Sequence, residues 1–209
     1  MSQATARKLG ILEPVSVFGM IMVYIWALRY THHEAWMGIL GLMLVSHILR
    51  REGAVGLGFR TANLRGCLEE FAPVLALLAL SMLAFSAVFE TTRPIGPDAV
   101  FLAWAAYLPW GLFQQYVLNG YFLTRFDAVL APARSSLLAA VLFACVHLPN
   151  WFLMLVAFPG AWASTIIYRK TRNLYFLGIA HATIGVLLLV VVPDSVSHHL
   201  KIGPGWYAR

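Results

Sequence analysis

Six polar side chains fall inside long apolar stretches of this sequence: Gln114, Gln115 and Asn119 in PWGLFQQYVLNGYFLTRF, His147 in SSLLAAVLFACVHLPN, and His181 with Thr183 in YFLGIAHATIG. Two histidines among amides offer proton transfer and hydrogen bonding without fixed charge. Imidazole, with an unperturbed pKa of about 6.5, takes and returns a proton near neutrality. An amide donates and accepts but is not basic, so neither glutamine is a general base. In lipid such groups cost free energy unless they pair or line a cavity, which makes each an expected site residue. The spacing along the helices puts Gln114, His147 and His181 near mid-membrane, facing one shared cavity. For Gln115 the plainer reading, packing between helices, is stronger, because neighbours on a helix point about 100° apart and only one of the pair faces a cavity centrally.

Other chemistries are excluded by their missing parts. There is no H-E-x-x-H zinc helix and no G-x-S-x-G nucleophile elbow. Glu13, Glu69, Glu70 and Glu90 fall at the ends of apolar runs, which leaves a paired-carboxylate membrane protease without its acids. Two histidines alone make a poor zinc site, since catalytic zinc normally takes three protein ligands. No metal and no cofactor are expected. Cys67 and Cys145 lack the spacing of a disulfide or metal framework, and Cys145 reads as a small buried hydrophobe. His32, His33, His47, His198 and His199 lie at run ends or in a tail and read as solvated imidazoles.

The elements that must carry these residues follow from composition. Of 209 residues 60% are apolar and 11% charged, against roughly 25% charged in soluble domains. That excludes an ordinary soluble globular protein. The net charge of +6 is scattered between apolar runs instead of gathered on one face, so no nucleic-acid partner is expected. A bilayer core of about 30 Å needs roughly 20 apolar residues per helix. Stretches near 12–30, 35–49, 71–89, 99–123, 135–149, 151–168 and 173–192 meet or approach that length, with 35–49 and 135–149 short enough to be re-entrant. The fold class is therefore an all-α, polytopic membrane helix bundle of about seven transmembrane helices, one membrane domain over residues 1–209, in the inner cell membrane with the lipid bilayer as partner.

Charge placement orients it. With the N-terminus inside, Arg7, Lys8, Arg50, Arg51, Arg60, Arg65, Arg125, Arg134, Arg169, Lys170 and Arg172 are cytoplasmic, and Arg29, Arg93, Lys201 and Arg209 are not. This is the asymmetry of the positive-inside rule, with the C-terminus outside. The first apolar run has no small-residue cleavage site and reads as a retained span. Residues 50–70 read as a cytoplasmic connector at the headgroups, and 91–98 (TTRPIGPD) as an external loop.

The polar residues at depth bring a family into view. Residues 99–190 resemble, in motif order and spacing, the CPBP family of type II CAAX prenyl endopeptidases and bacteriocin-processing (Abi) proteins, with a weaker echo in GLGFRTANL. The family pattern is E-E-x-x-x-R, then F-x-x-x-H, then H-x-x-x-N. Phe143 with His147 fits the second motif and His181 opens the third. Gln114 and Gln115 stand where the family has its glutamates, Asn119 stands for the arginine and Gly185 for the asparagine. The resemblance implies hydrolysis of a peptide bond within the membrane, with His147 activating water, His181 donating to the oxyanion, and Gln114 and Gln115 positioning water or substrate. Loss of both acids together with the arginine leaves no unpaired charge at depth, which favours an intact fold. It also opens an alternative: a pseudoenzyme that binds or scaffolds a peptide or a lipid-modified protein. A transporter is disfavoured, since the sequence has no internal repeat.

The charge count makes a topological prediction. Reporter fusions at Arg60, Asp127 and Lys170 should report the cytoplasm, and fusions at Pro97 and His199 should not. A cytoplasmic signal from His199 would mean that one short segment does not cross.

Overall fold

The computed structural model describes residues 3–207, with side chains from Gly10 onward. Arg7, Lys8 and Arg209 of the charge count therefore lie outside the described side chains. The described chain is helical, without strands. Helix α1 (Gln3–Val23) runs into a π turn, Tyr24–Leu28, and is followed by α2 (Ala35–Leu49) and α3 (Leu64–Val88). Helix α4 (Pro97–Gln115) passes without a break into a π-helical segment, Tyr116–Leu123, and a last turn, α5 (Thr124–Asp127). Then come α6 (Pro132–Cys145), α7 (Trp151–Thr171), α8 (Leu174–Val191) and the short α9 (Asp194–Ser197).

The boundaries have local causes. Pro97 and Pro132 open α4 and α6, where a missing N–H costs nothing. Asn150 and Asn173 cap α7 and α8 by accepting from the N–H groups of Leu153 and Phe176. Helix α3 begins at Leu64, so the expected connector of residues 50–70 is shorter by its last turns. What remains is no loose headgroup loop. Leu57 and Gly58 are buried, the Tyr168 hydroxyl donates to Leu57 O at 2.8 Å, and Asn173 Nδ2 donates to Arg60 O at 2.9 Å. Gly58 has φ +99°, and a Cβ there would lie 2.9 Å from the Tyr168 ring, which is why a glycine holds this crossing.

Among the described residues four helices are long and apolar enough to cross a membrane: Gly10–Leu28, Leu64–Val88, Trp151–Thr171 and Leu174–Val191. Ala35–Leu49 and Pro132–Cys145 are apolar but shorter. On α3 the side chains of Val74, Leu77 and Leu80 are 66%, 67% and 64% exposed, an outward apolar face suited to lipid and not to water.

Side-chain contacts join the helix ends into two layers. One end gathers Glu13, Glu52 and Arg125, the pair Asp127 and Arg169, and the pair Glu70 and Lys170. At the other end Arg93 forks onto Asp194 at 2.5 and 3.0 Å, and Asn150 Nδ2 donates to Ser197 O and Lys201 O. The 91–98 stretch is thus anchored through Arg93 to the far side of α8.

Arg125 is the centre of the first layer. Read from sequence as a cytoplasmic surface charge, it is 2% exposed. Its Nε donates to Glu13 Oε1 at 3.1 Å, its Nη1 to Glu52 Oε1 at 2.9 Å and its Nη2 to Ser46 Oγ at 3.0 Å. Tyr121 donates to Glu13 at 3.2 Å, and Arg50 closes the pair from outside. Glu13, expected at a helix end, is ten residues into α1 because that helix starts at Gln3. His47, expected to be solvated, is buried against the rings of Tyr116 and Tyr121, with Nδ1 2.7 Å from Glu52 Oε2. The sequence reading failed here because Arg125, Tyr116 and Tyr121, which bury the ring and complete its surroundings, are about seventy residues away along the chain, although Glu52 is near.

Partial burial pushes the Glu52 carboxyl up, but hydrogen bonds from Arg125 and His47 and the nearby positive charge outweigh it and hold it below the usual 4.5. A carboxyl depressed in the folded state contributes stability that is complete above its unfolded pKa and lost as pH falls through the folded value. Arg125→Leu leaves Glu52 without its cation and Glu13 with Arg50 alone, and should cost about 3–5 kcal/mol in unfolding experiments in detergent. Its acid transition should also lie at higher pH than that of the wild type.

Candidate functional site

The two histidines reach the same place from different elements. Helix α6 stops at Cys145, so His147 sits in the turn after it and not within a span as expected. Its Nδ1 is 2.8 Å from Phe143 O. A carbonyl only accepts, so Nδ1 carries the proton and a neutral ring keeps its lone pair on Nε2. His181 lies two turns into α8. The Phe143 ring stands edge-on to both imidazoles, with centroids 5.3 Å from His147 and 6.2 Å from His181.

Of the adjacent glutamines it is Gln115, the one expected to pack between helices, that touches a histidine. Its Nε2 donates to His181 Nδ1 at 3.1 Å. Its Oε1 accepts from Asn119 Nδ2 at 2.8 Å and from Ser164 Oγ at 2.6 Å. With Nδ1 accepting, a neutral His181 carries its proton on Nε2. The two rings are thus held in opposite tautomers. Gln114 is half-buried and lies within hydrogen-bonding reach of the Tyr107 hydroxyl, and the Tyr107 ring stacks on His181 at 6.1 Å. Gln114 therefore meets the site at its edge, through Tyr107. Thr183 is satisfied elsewhere, accepting from Trp104 Nε1 at 3.1 Å.

The backbone around Gln115 explains its reach. Helix α4 crosses α8 with glycine against glycine: a Cβ on Gly111 would lie 3.0 Å from Gly178 O, and one on Gly178 would lie 3.0 Å from Leu112 Cα. Such small-residue contacts bring two backbones together in apolar surroundings. The π segment beginning at Tyr116 turns Asn119 inward, fully buried. π turns inside α-helices are frequent at functional sites. Gly185, the position of the family's asparagine, faces Tyr107, and a Cβ there would lie 2.7 Å from its ring.

Two members of the site were missed by sequence reasoning. Ser164 and Tyr107 are ordinary residues within apolar helices, and only the crossings of α7 and α4 with their neighbours bring them in. Cys145, read from sequence as a small buried hydrophobe, is partly exposed and lines an open apolar groove of about 470 Å³ with Val141, Ala144, Trp151 and Phe158. Among the described residues no three His, Cys, Asp or Glu side chains converge as metal ligands.

This is a helical bundle with membrane-type surfaces and a neutral cluster of histidine, amide and hydroxyl groups inside it. Residues 96–187, a little under half of the chain, match the family model described as type II CAAX prenyl endopeptidase Rce1-like. That is the family whose motifs the sequence resembles. Searches of curated proteins and of solved structures give no match.

The Gly111 and Gly178 crossing should tolerate no added methyl, because the atoms it would meet include backbone. Gly178→Ala should destabilise the fold by about 1–3 kcal/mol through overpacking and break the Gln115 to His181 contact. A thermal unfolding series in detergent with Gly19→Ala, where a Cβ meets nothing within 4 Å, as the reference checks it.

Proposed function

We propose that this protein is a CAAX-type intramembrane endopeptidase homologue that hydrolyses a peptide bond with histidines alone. The observation that carries the reading is the opposite partners of the two Nδ1 atoms, a carbonyl oxygen at His147 and an amide nitrogen at His181. His147 presents a lone pair at Nε2, suited to a base, and His181 presents an N–H at Nε2, suited to an oxyanion donor. In the proposed step a water O–H gives its proton to His147 Nε2 while the water oxygen bonds to the scissile carbonyl carbon. The carbonyl oxygen takes the negative charge and accepts from His181 Nε2–H. Collapse of the adduct breaks the C–N bond, and His147 returns the proton to the leaving amine. Gln115 supports the reaction by holding His181, and Gln114 by lining the approach beside Tyr107.

The substrate class proposed is a peptide or lipid-modified protein segment arriving from the bilayer, supported by the apolar groove at Cys145, two residues from His147. Seven helical segments crossing the inner cell membrane, N-terminus inside, is the proposed topology. The alternation of the chain between the charged layer and the Arg93 layer supports it.

One observation favours the pseudoenzyme reading instead. The cluster holds no carboxylate, and Tyr107 fills the space that a side chain at position 185 would take. A binding protein for the same segment needs neither.

Cleavage of a panel of membrane-anchored peptides in liposomes separates the two. His147→Ala should abolish cleavage, and His181→Ala should lower it by roughly 10² to 10³, the effect of losing an oxyanion donor. Gln114→Glu, which restores the family's first acid, should raise turnover. No cleavage by the wild type, with peptide binding unchanged in His147→Ala, would reject hydrolysis in favour of binding.

A further inference from the structure

Asn150 follows His147 by three residues and is fully buried. Its Oδ1 accepts from Leu153 N–H at 3.0 Å, and its Nδ2 donates to Ser197 O at 2.9 Å and to Lys201 O at 3.0 Å. A backbone N–H only donates and a carbonyl only accepts, so this amide fits in one orientation. The two carbonyls flank His198, His199 and Leu200, whose φ values are +48°, +55° and +55°. Three successive non-glycine residues in the left-handed region need outside support to stay there. Asn150 pins both ends of that turn, and the His198 ring lies 3.8 Å from the Trp206 ring. Beyond the turn the chain meets Leu148, next to His147, where Gly203 N–H donates to Leu148 O at 2.8 Å. Its other side meets the π turn after α1, since a Cβ on Gly203 would lie 2.7 Å from Ile25 Cγ2. We propose that Asn150 is a positioning residue of the histidine site, whose amide holds residues 198–206 as a strap across the turn that carries His147. The effect on cleavage rests on the hydrolytic reading above, but the placement of His147 does not.

The imidazole of His147 depends on the course of this turn. Helix α6 has ended before it, and the ring caps that end by donating from Nδ1 to Phe143 O. The cap aims Nε2 at a fixed place only while the backbone of residues 146–150 stays where it is. Two consecutive carbonyls of that backbone are held by groups that Asn150 places. His147 O accepts from the Asn150 N–H at 2.9 Å, and Leu148 O accepts from Gly203 in the strap. Capping α7 and holding the strap are separable duties. A serine at position 150 still accepts from Leu153 N–H, but it lacks the NH₂ group that serves both carbonyls. Gly203 gives access from the other side. With φ +58° and Ile25 against it, an added methyl displaces the strap and leaves the α7 cap intact.

The test follows the full chain in lipid nanodiscs by amide hydrogen exchange and by the nitrogen spectrum of ¹⁵N-labelled histidine, with His147→Gln to assign the resonances. In the wild type the Gly203 amide should be protected and His147 protonated at Nδ1. Asn150→Ser should speed exchange at Gly203 by a factor on the order of 10 or more, as two hydrogen bonds are lost, and should move the His147 shifts. Gly203→Ala should move the same shifts. Asn173→Ser is the reference: Asn173 caps α8 and donates to Arg60 O and Asn63 Oδ1 in the opposite layer, so its loss should leave His147 unchanged. Where cleavage is measurable, Asn150→Ser and Gly203→Ala should lower kcat several-fold with KM unchanged. Protection at Gly203 that survives Asn150→Ser overturns the proposal, as do His147 shifts that Asn173→Ser moves equally. If Asn150→Ser does not fold, Gly203→Ala decides, and an unchanged His147 spectrum in it overturns the proposal. Shifts that move while the wild type cleaves no peptide sustain the strap and reject the hydrolytic reading alone.

Discussion

Every polar group held inside an apolar bundle has to find its partner within the chain, and Arg125 meets that constraint in its most demanding form. A guanidinium 2% exposed has to be matched by acids and acceptors from whatever lies around it. Here they come from α1 through Glu13, from α2 through Ser46 and from the segment after it through Glu52. Three stretches distant in sequence are thereby fixed to the end of the α4 and α5 run. Because that run is continuous with the π segment carrying Asn119 and with Gln115, the ion cluster also sets the height and rotation of the site's amides.

The same constraint is met without charge at the histidine cluster. Where the family pattern has two acids and an arginine, this chain has three amides, and Gln115 and Asn119 among them share hydrogen bonds with Ser164. A neutral network needs no counter-ion, so the three replacements are mutually consistent. The residual imperfection is the Asn119 Oδ1 atom, buried without a partner. Charge has not left the protein's interior, however. It is confined to the end layers, where Arg125, Arg169 and Arg93 each hold a carboxylate from another element.

Two close approaches translate this polar pairing into helix geometry. Gly111 against Gly178 brings α4 onto α8 and Gln115 onto His181, while Gly58 brings the loop before α3 under Tyr168 at the turn between α7 and α8. The neutral cluster is then bounded by aromatic rings, Phe143 between the histidines and Tyr107 stacked on His181. Among the described residues no group hydrogen-bonds to the Nε2 atom of either histidine, and their Nδ1 atoms alone are engaged.

By itself the sequence determined the helical class, the membrane-type apolar surfaces and the family resemblance, because hydropathy and motif spacing are local properties that a single chain displays in order. It also singled out His147, His181 and the glutamine pair, since a polar residue within an apolar run is conspicuous wherever it points. What it could not determine was facing. Whether Gln114 or Gln115 meets His181 depends on the rotation of α4, which the Gly111 crossing and the π segment set together. Whether His47 is solvated depends on Glu52 and Arg125 arriving beside it. Ser164 and Tyr107 enter the site only because α7 and α4 cross their neighbours at those residues. Hydrogen-bond partners across helices are products of tertiary packing, and the tautomers of the two histidines, on which their chemistry turns, are decided there.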